Sequence, residues 1–160
     1  MAFDSESALD DTGWRLLRAV QEDSRLSFSE LGRRIGLSAP AVAERVRRME
    51  EAGILVGYHA QIDTTRLGFP ITAFIQIRVP AERYGRIATL ARTLSEVVEC
   101  HHLTGEDCFL IKVIAASMVH LEAVITELRQ HGETDSKIVM STLVTGKMIY
   151  GGPSVRVAGA

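Results

Sequence analysis

Two cysteines in the whole chain, Cys100 and Cys108, are too few for a disulfide framework, and their presence suits a reducing cytosol. No apolar run exceeds the length of a strand, so no stretch is expected to span a membrane. The opening residues MAFDSESALDD are acidic and polar and carry no hydrophobic signal region. From those three features a cytoplasmic protein is expected. Glycine-rich phosphate cradles of the GxGxxG and P-loop type do not occur, and no CxxC or HxxxH spacing offers a metal site. No cofactor is expected. A net charge of −2 argues against indiscriminate adhesion to nucleic acid.

What the chain does have is 46% hydrophobic against 24% charged residues, enough for a core in 160 residues, which suffice for one ordinary domain or two small ones. Its charge is also unevenly placed. Between Arg25 and Arg48 six arginines stand against Glu30 and Glu44, a local +4. A patch of that kind on an acidic protein can bind DNA locally and with salt-sensitive affinity.

All of the patch but Arg25 falls within SFSELGRRIGLSAPAVAERVRRMEEA, residues 27–52. Ser27 and Glu30 stand at capping-box spacing, with the hydroxyl accepting from the third helical N–H and the carboxylate reaching back. Leu31 and Ile35 share a face, and Gly36 stops the helix. Ser38 caps a second helix with Pro40 close behind, where an N–H can be spared. So short a connection predicts a helix-turn-helix. Along the second helix, Val42, Val46 and Met49 follow core spacing, while Pro40, Glu44, Arg47 and Arg48 take the opposite side. Guanidinium groups there can grip phosphates or bond a guanine edge. A helical hairpin with a solvated charged face is the plainer alternative; turn chemistry, double capping and the arginine cluster favour DNA.

Upstream, Trp14, Leu16, Leu17 and Val20 follow helical spacing behind Asp10 and Asp11, with Trp14 expected in the core. Downstream, ILVGYHAQI (54–62) is expected to be a strand, and DTTRLGFP (63–70) a turn-rich linker. Then ITAFIQIRV (71–79) alternates as a half-buried strand. Tyr84, Ile87, Ala88, Ala91 and Leu94 follow helical spacing. VVECHHL (97–103) and CFLIKVIA (108–115) flank the turn TGED, Ser117 caps a helix with Met118, Leu121, Val124, Ile125 and Leu128 as its stripe, and KIVMSTLV (137–144) closes as a strand. The expected fold is α+β. A winged-helix-like helix-turn-helix domain with its exit strand (1–62) and a linker (63–70) precede a ferredoxin-like βαββαβ domain (71–145) and a Gly-rich tail (146–160). One sheet face lacks a helical cover, which predicts sheet-to-sheet dimers.

The stretches LDDTGWRLLRAVQEDSR (9–25), FSELGRRIGLS (28–38), AVAERVRRMEEAGILVGYHAQID (41–63) and TGEDCFLIKV (104–113), in that order, resemble the Lrp/AsnC (leucine-responsive regulatory protein) family of transcription regulators. The resemblance implies a DNA-binding regulator that is not an enzyme. Its partners would be double-stranded DNA, further copies of itself (dimers, then tetramers or octamers) and a small effector, commonly an amino acid. It points to Ser38, Ala39, Pro40, Ala43, Glu44, Arg47 and Arg48 as the DNA-facing set, with Arg25, Arg33 and Arg34 adding phosphate contacts. By position it implicates Thr104, Gly105, Glu106 and Asp107, with Thr134, Asp135 and Ser136 just before the last strand, in the effector site. Judged on chemistry alone, that acidic turn would pass as a solvated hairpin turn. Many family members have an acidic residue where this chain has Cys108, so the effector is not fixed by resemblance.

Cys100 and His102 share a strand face and His101 lies on the other, an arrangement better suited to packing than to metal binding or nucleophilic catalysis. An alternative remains on the same scaffold. Some tetrapyrrole-processing decarboxylases resemble this family in both domains, and His101 or His102 would then be catalytic candidates.

Overall fold

The computed structural model describes residues 9–105 and 109–152. The contacts divide the chain into two compact units. One runs to Ala60 and takes in the chain from Val144 on; the other is Gln61–Leu143. Among the described residues, no helix is long and apolar enough to cross a membrane.

The first unit holds three helices: α1 (Asp11–Glu22), α2 (Phe28–Ile35) and α3 (Ala39–Glu51). Each begins on a side-chain cap. The Asp10 carboxylate accepts from the Gly13 N–H at 2.7 Å, and the Ser27 and Ser38 hydroxyls accept from the Glu30 and Ala41 N–H groups. The expected capping box is only half formed, because the Glu30 carboxylate turns to Arg33 and Arg34 instead of back to Ser27. Two guanidinium groups are stronger partners for a carboxylate than one amide. Leu16, Leu17, Val20, Leu31, Ile35, Val42, Val46 and Met49 pack into one core. Trp14 is half-buried at its edge rather than central, because α1 turns Leu16, Leu17 and Val20 inward.

The turn between α2 and α3 is set by backbone proximity. Gly36 takes the left-handed conformation at φ 78°, and the Gly36 and Leu37 N–H groups both donate to the Gly32 carbonyl at 2.8 and 2.9 Å. A Cβ on Gly32 would lie 2.4 Å from the Leu37 carbonyl oxygen, a distance that no methyl group tolerates. Gly32 therefore lets the chain fold back within one residue of the helix end.

Beyond α3, Gly53 at φ 67° ends the helix, and residues 54–62 form no strand. Val56 and Ile62 are exposed at 90% and 58%. A strand needs a ladder partner, and this segment has none among the described residues of its own chain.

The second unit begins with a 3₁₀ turn at Thr65–Leu67, in which the Asp63 carboxylate accepts from the Thr65 N–H. Then follow β1 (Ile71–Arg78), α4 (Tyr84–Thr93), β2 (Val97–His102), β3 (Phe109–Ala115), α5 (Met118–Arg129) and β4 (Glu133–Ile138). The sheet order is β2-β3-β1-β4 with every pair antiparallel, the ferredoxin-like arrangement. Ala73, Ile75, Ile77, Phe109, Ile111 and Val113 are buried under Ile87 of α4 and Leu121, Val124 and Leu128 of α5. Met118, at the first turn of α5, does not join that stripe and is 57% exposed.

The last strand starts four residues before its expected place. Among the described residues its apolar continuation is not covered: Met140 and Leu143 are over 90% exposed, and past Ile138 the Val139 N–H donates to the Thr72 carbonyl. On the sheet face without helices, Phe74, Leu110 and Ile114 are half-buried beside Lys112, which donates to Glu99 at 2.7 Å, and Lys137, which donates to Gln76 at 2.9 Å. That face is mixed rather than wholly apolar.

Gly32→Ala should lower the unfolding free energy of the first unit by about 1–3 kcal/mol, the usual range for an overpacked site that must shift. Urea titration followed by circular dichroism measures it, and an unchanged midpoint would show that the turn can widen freely.

Candidate DNA-binding surface and effector turn

Helix α3 is held by its apolar side and by one ion pair, which leaves a defined solvent side. Val42, Val46 and Met49 are buried. Arg45 reaches across to α1 and makes a two-point contact with Asp10, at 2.9 and 3.0 Å. The Arg45 guanidinium, followed by the Gly13 N–H, holds the Asp10 carboxyl below its ordinary value. One arginine of the basic patch is therefore committed to the fold.

The solvent side carries the residues expected there. Pro40, Arg47 and Arg48 are exposed, as is Ser38, while Ala39, Ala43 and Glu44 are half-exposed between them. The Ser38 hydroxyl accepts from a backbone N–H and keeps its own hydrogen to donate. Arg33 and Arg34 extend from α2 and Arg25 from the preceding turn, all exposed. The Arg25 N–H donates to the Asp23 carboxylate at 2.9 Å.

Arg33, Arg34, Arg47 and Arg48 are paired with acids of their own helices. Arg47 bonds Glu44 at 2.8 and 3.0 Å and also pairs with Glu51, and Arg48 bonds Glu44 at 2.9 Å. On α2, Arg33 grips Glu30 at 2.6 and 3.1 Å, with Arg34 at 3.5 Å. The Arg47 hydrogen bond and then that from Arg48 hold the Glu44 carboxyl below its usual range, and Arg33 does the same to Glu30. Exposed helical pairs of this kind are weak in water and readily exchanged. The carboxylates point the guanidinium groups and partly mask them; a phosphate can displace them. Those acids were visible in the sequence, but their pairing was not drawn from it.

At the other candidate site the picture is divided. Thr104 and Gly105 form an exposed turn after β2, with Gly105 at φ 102°, a conformation suited to glycine. Glu106, Asp107 and Cys108 lie outside the described residues. Thr134, Asp135 and Ser136 do not precede the last strand; they are within β4, opposite Ile77, Gln76 and Ile75. That placement follows from the early start of β4. His102, Phe109, Ile77 and Thr134 form one cross-strand row, so the turn and Thr134 occupy the same end of the sheet. Three inter-strand steps separate them, roughly 14 Å. A ligand the size of an amino acid does not bridge that gap within one chain.

Next to the turn, Tyr84 meets His102 and Phe109 edge to face, and His102 and Phe109 tilt against each other at 34°, with ring centroids 4.9–5.3 Å apart. Behind them a groove of about 420 Å³ runs between α4 and the edge strand β2, lined by Ala88, Ala91, Arg92, Cys100, His102 and Phe109. Sequence reasoning placed Cys100 and His102 on one face but did not find the groove, which depends on where α4 crosses. His101 lies on the other face, 3.4 Å from Glu99. Among the described residues no cluster of acids, histidines or cysteines could hold a metal ion.

Residues 9–50 match the AsnC-type helix-turn-helix domain, and residues 72–149 match the Lrp/AsnC ligand binding domain. The chain is 32% identical over 137 residues to the transcriptional regulator LrpC of Bacillus subtilis, covering 86% of this chain and 95% of that protein. Superposition on the solved LrpC structure gives a TM-score of 0.81, covering 86% and 98% of the two chains. The leucine-responsive regulatory protein of Rhizobium meliloti is 34% identical over 139 residues, 84% of this chain and 89% of its own. A transcriptional regulator of Neisseria meningitidis, solved as an L-Met complex, is 28% identical with a TM-score of 0.79, covering 86% and 93%. These relatives are named as regulators, not enzymes.

Glu44→Gln removes the acid that masks Arg47 and Arg48. It should tighten binding to random duplex DNA a few-fold at low salt and less at high salt, as expected when an added phosphate contact releases counterions. Fluorescence anisotropy at two salt concentrations reads this. Weaker binding would show that Glu44 holds the arginines in the pose that DNA requires.

Proposed function

The chain belongs to the Lrp/AsnC family of transcriptional regulators, with a helix-turn-helix DNA-binding domain, and from that membership and the geometry above we propose a cytoplasmic, sequence-specific regulator whose operator occupancy responds to a small effector. The observation that carries it is the exposed face of α3, with Arg47 and Arg48 projecting from a helix whose other side is buried and whose entry is fixed by Gly32 and Gly36. In this reading Ser38–Arg48 enters a major groove. Arg47 or Arg48 exchanges Glu44 for a base edge or a phosphate, and Arg25, Arg33 and Arg34 grip the backbone on either side. Two copies place two such helices in successive grooves of a near-palindromic site.

Two observations support self-association: the exposed segment 56–62, which forms no strand, and the half-apolar sheet face with Phe74, Leu110 and Ile114. The effector reading rests on the turn at Thr104–Asp107 and on Thr134–Ser136. The roughly 14 Å between these segments in one chain favours a ligand held between copies in an assembly of dimers. An α-ammonium group would meet the carboxylates of Glu106, Asp107 or Asp135. The L-Met complex of the Neisseria meningitidis neighbour makes an amino acid the first class to try. Such a ligand alters DNA binding only insofar as it prefers one assembly state to another.

Two substitutions test this. Arg47→Ala should weaken binding to the operator about tenfold to a hundredfold if the residue meets a base, with a smaller loss on random DNA, measured by gel shift. Equal affinity would mark Arg47 as merely solvated. Asp107→Ala should abolish the response of operator binding to amino acids while leaving binding without effector unchanged, measured by the same titration across the twenty amino acids. A retained response would remove the turn from the site.

A further inference from the structure

The tail offers the best-built contact that the proposed function does not use. The Gln21 side chain meets the backbone of Ile149 at two points: its Nε2 donates to the Ile149 carbonyl at 2.9 Å, and its Oε1 accepts from the Ile149 N–H at 2.9 Å. That is the bonding of one rung of a β-ladder, made by a side-chain amide. The same Nε2 is 3.3 Å from the Leu17 carbonyl, which fixes the amide plane on the helix. The next tail residue, Tyr150, lies under the Arg18 guanidinium, 5.0 Å from the ring centroid. Gly152 comes against the Trp14 ring, where a Cβ would lie 3.6 Å from Cζ2.

Trp14, Arg18 and Gln21 stand at i, i+4 and i+7, one stripe of α1. The contacts run antiparallel along it, from Gln21 with Ile149 to Trp14 with Gly152. From Gln21 to Trp14 the helix rises about 10 Å at ~1.5 Å per residue, and the tail follows it through bends at Gly151 and Gly152. Moreover, Ile149 is recognised through its backbone, since its side chain is 64% exposed.

We propose that the Trp14–Arg18–Gln21 stripe is a docking site for the chain's own tail, and that residues 147–152 act as a strap on the DNA-binding unit. The chain leaves that unit at Ala60 and rejoins it at Val144, after the whole of the second unit. With the tail docked, the DNA-binding unit is attached to the effector unit by two connections instead of one. A second connection removes orientations that a single linker allows, and so couples the state of one unit to the freedom of the other. The strap leaves the exposed side of α3 untouched, so its docking and the DNA-binding reading are tested separately.

Trp14 is the chain's only tryptophan and therefore reports the site directly. Acrylamide quenching of its fluorescence is measured on the full chain, on Gln21→Ala, on Ile149→Pro, and on a chain ending at Thr145. Gln21→Ala keeps a helix-forming residue at a half-exposed position, and Ile149→Pro leaves the helical core alone while removing the N–H that Gln21 accepts from. All three should expose Trp14 to the quencher, whereas Ile149→Ala, which keeps the backbone, should match the parent. Losing the two hydrogen bonds should also speed tryptic cleavage after Lys147 in Gln21→Ala about tenfold. Quenching and cleavage identical to the parent in every variant would overturn the strap. Protection in the parent that vanishes on dilution would overturn it as well, by showing that the stripe holds the tail of a second copy. No DNA is present in either measurement, so failure here leaves the regulator reading standing.

Discussion

The approach of two backbones at Gly32 and Leu37 is the constraint on which the DNA-binding unit depends. With hydrogen in place of a side chain at Gly32, the Leu37 carbonyl can pass close over α2, and Gly36 turns the chain by taking φ 78°. Only Leu37 then separates the end of one helix from the cap of the next. That sets which side of α3 meets the core, and hence which side meets solvent. Val42, Val46 and Met49 take the inside, and Arg47 and Arg48 are left outside with no freedom to exchange places. A wider turn would keep both helices and lose the surface.

On that surface, arginines divide by the geometry of their partners. Arg45 binds a carboxylate on another helix at two points, and it serves cohesion. Arg33, Arg47 and Arg48 bind carboxylates three or four residues away on the same helix, pairs that hold a side chain's direction at little cost to break. An acidic protein thus presents a basic surface only where a stronger anion competes for it. Such an arrangement favours contact with DNA over weaker polyanions and makes that contact salt-dependent.

Much of this was legible in the sequence because local chemistry dictates it. Ser27, Ser38 and Gly36 sit where caps must sit, the alternation of 71–79 survives as β1, and Ser117 caps α5. The misplaced elements all depend on neighbours. The apolar run from Lys137 suggests β4 there, but an edge strand paired only to β1 tolerates a mostly polar sequence, and ETDSKI serves. The segment 54–62 has strand composition without a partner in its own chain. Of the residues proposed for the effector site, spacing could not reveal that Thr104 and Thr134 reach the same end of the sheet on opposite edges; that follows from strand order. Met148, Ile149 and Tyr150 are the apolar residues with which the tail could dock, but nothing near Ile149 in sequence marks Gln21 as the partner.

The central claim is that the exposed side of α3 distinguishes one DNA sequence from another. Selection of bound duplexes from a random pool by the intact chain, at near-physiological salt, tests it most directly. The account predicts enrichment of a near-palindromic site whose half-sites lie about one helical turn apart, roughly 10 base pairs. Sequences that stay random through successive rounds would contradict it, leaving Arg47 and Arg48 as contacts for any duplex.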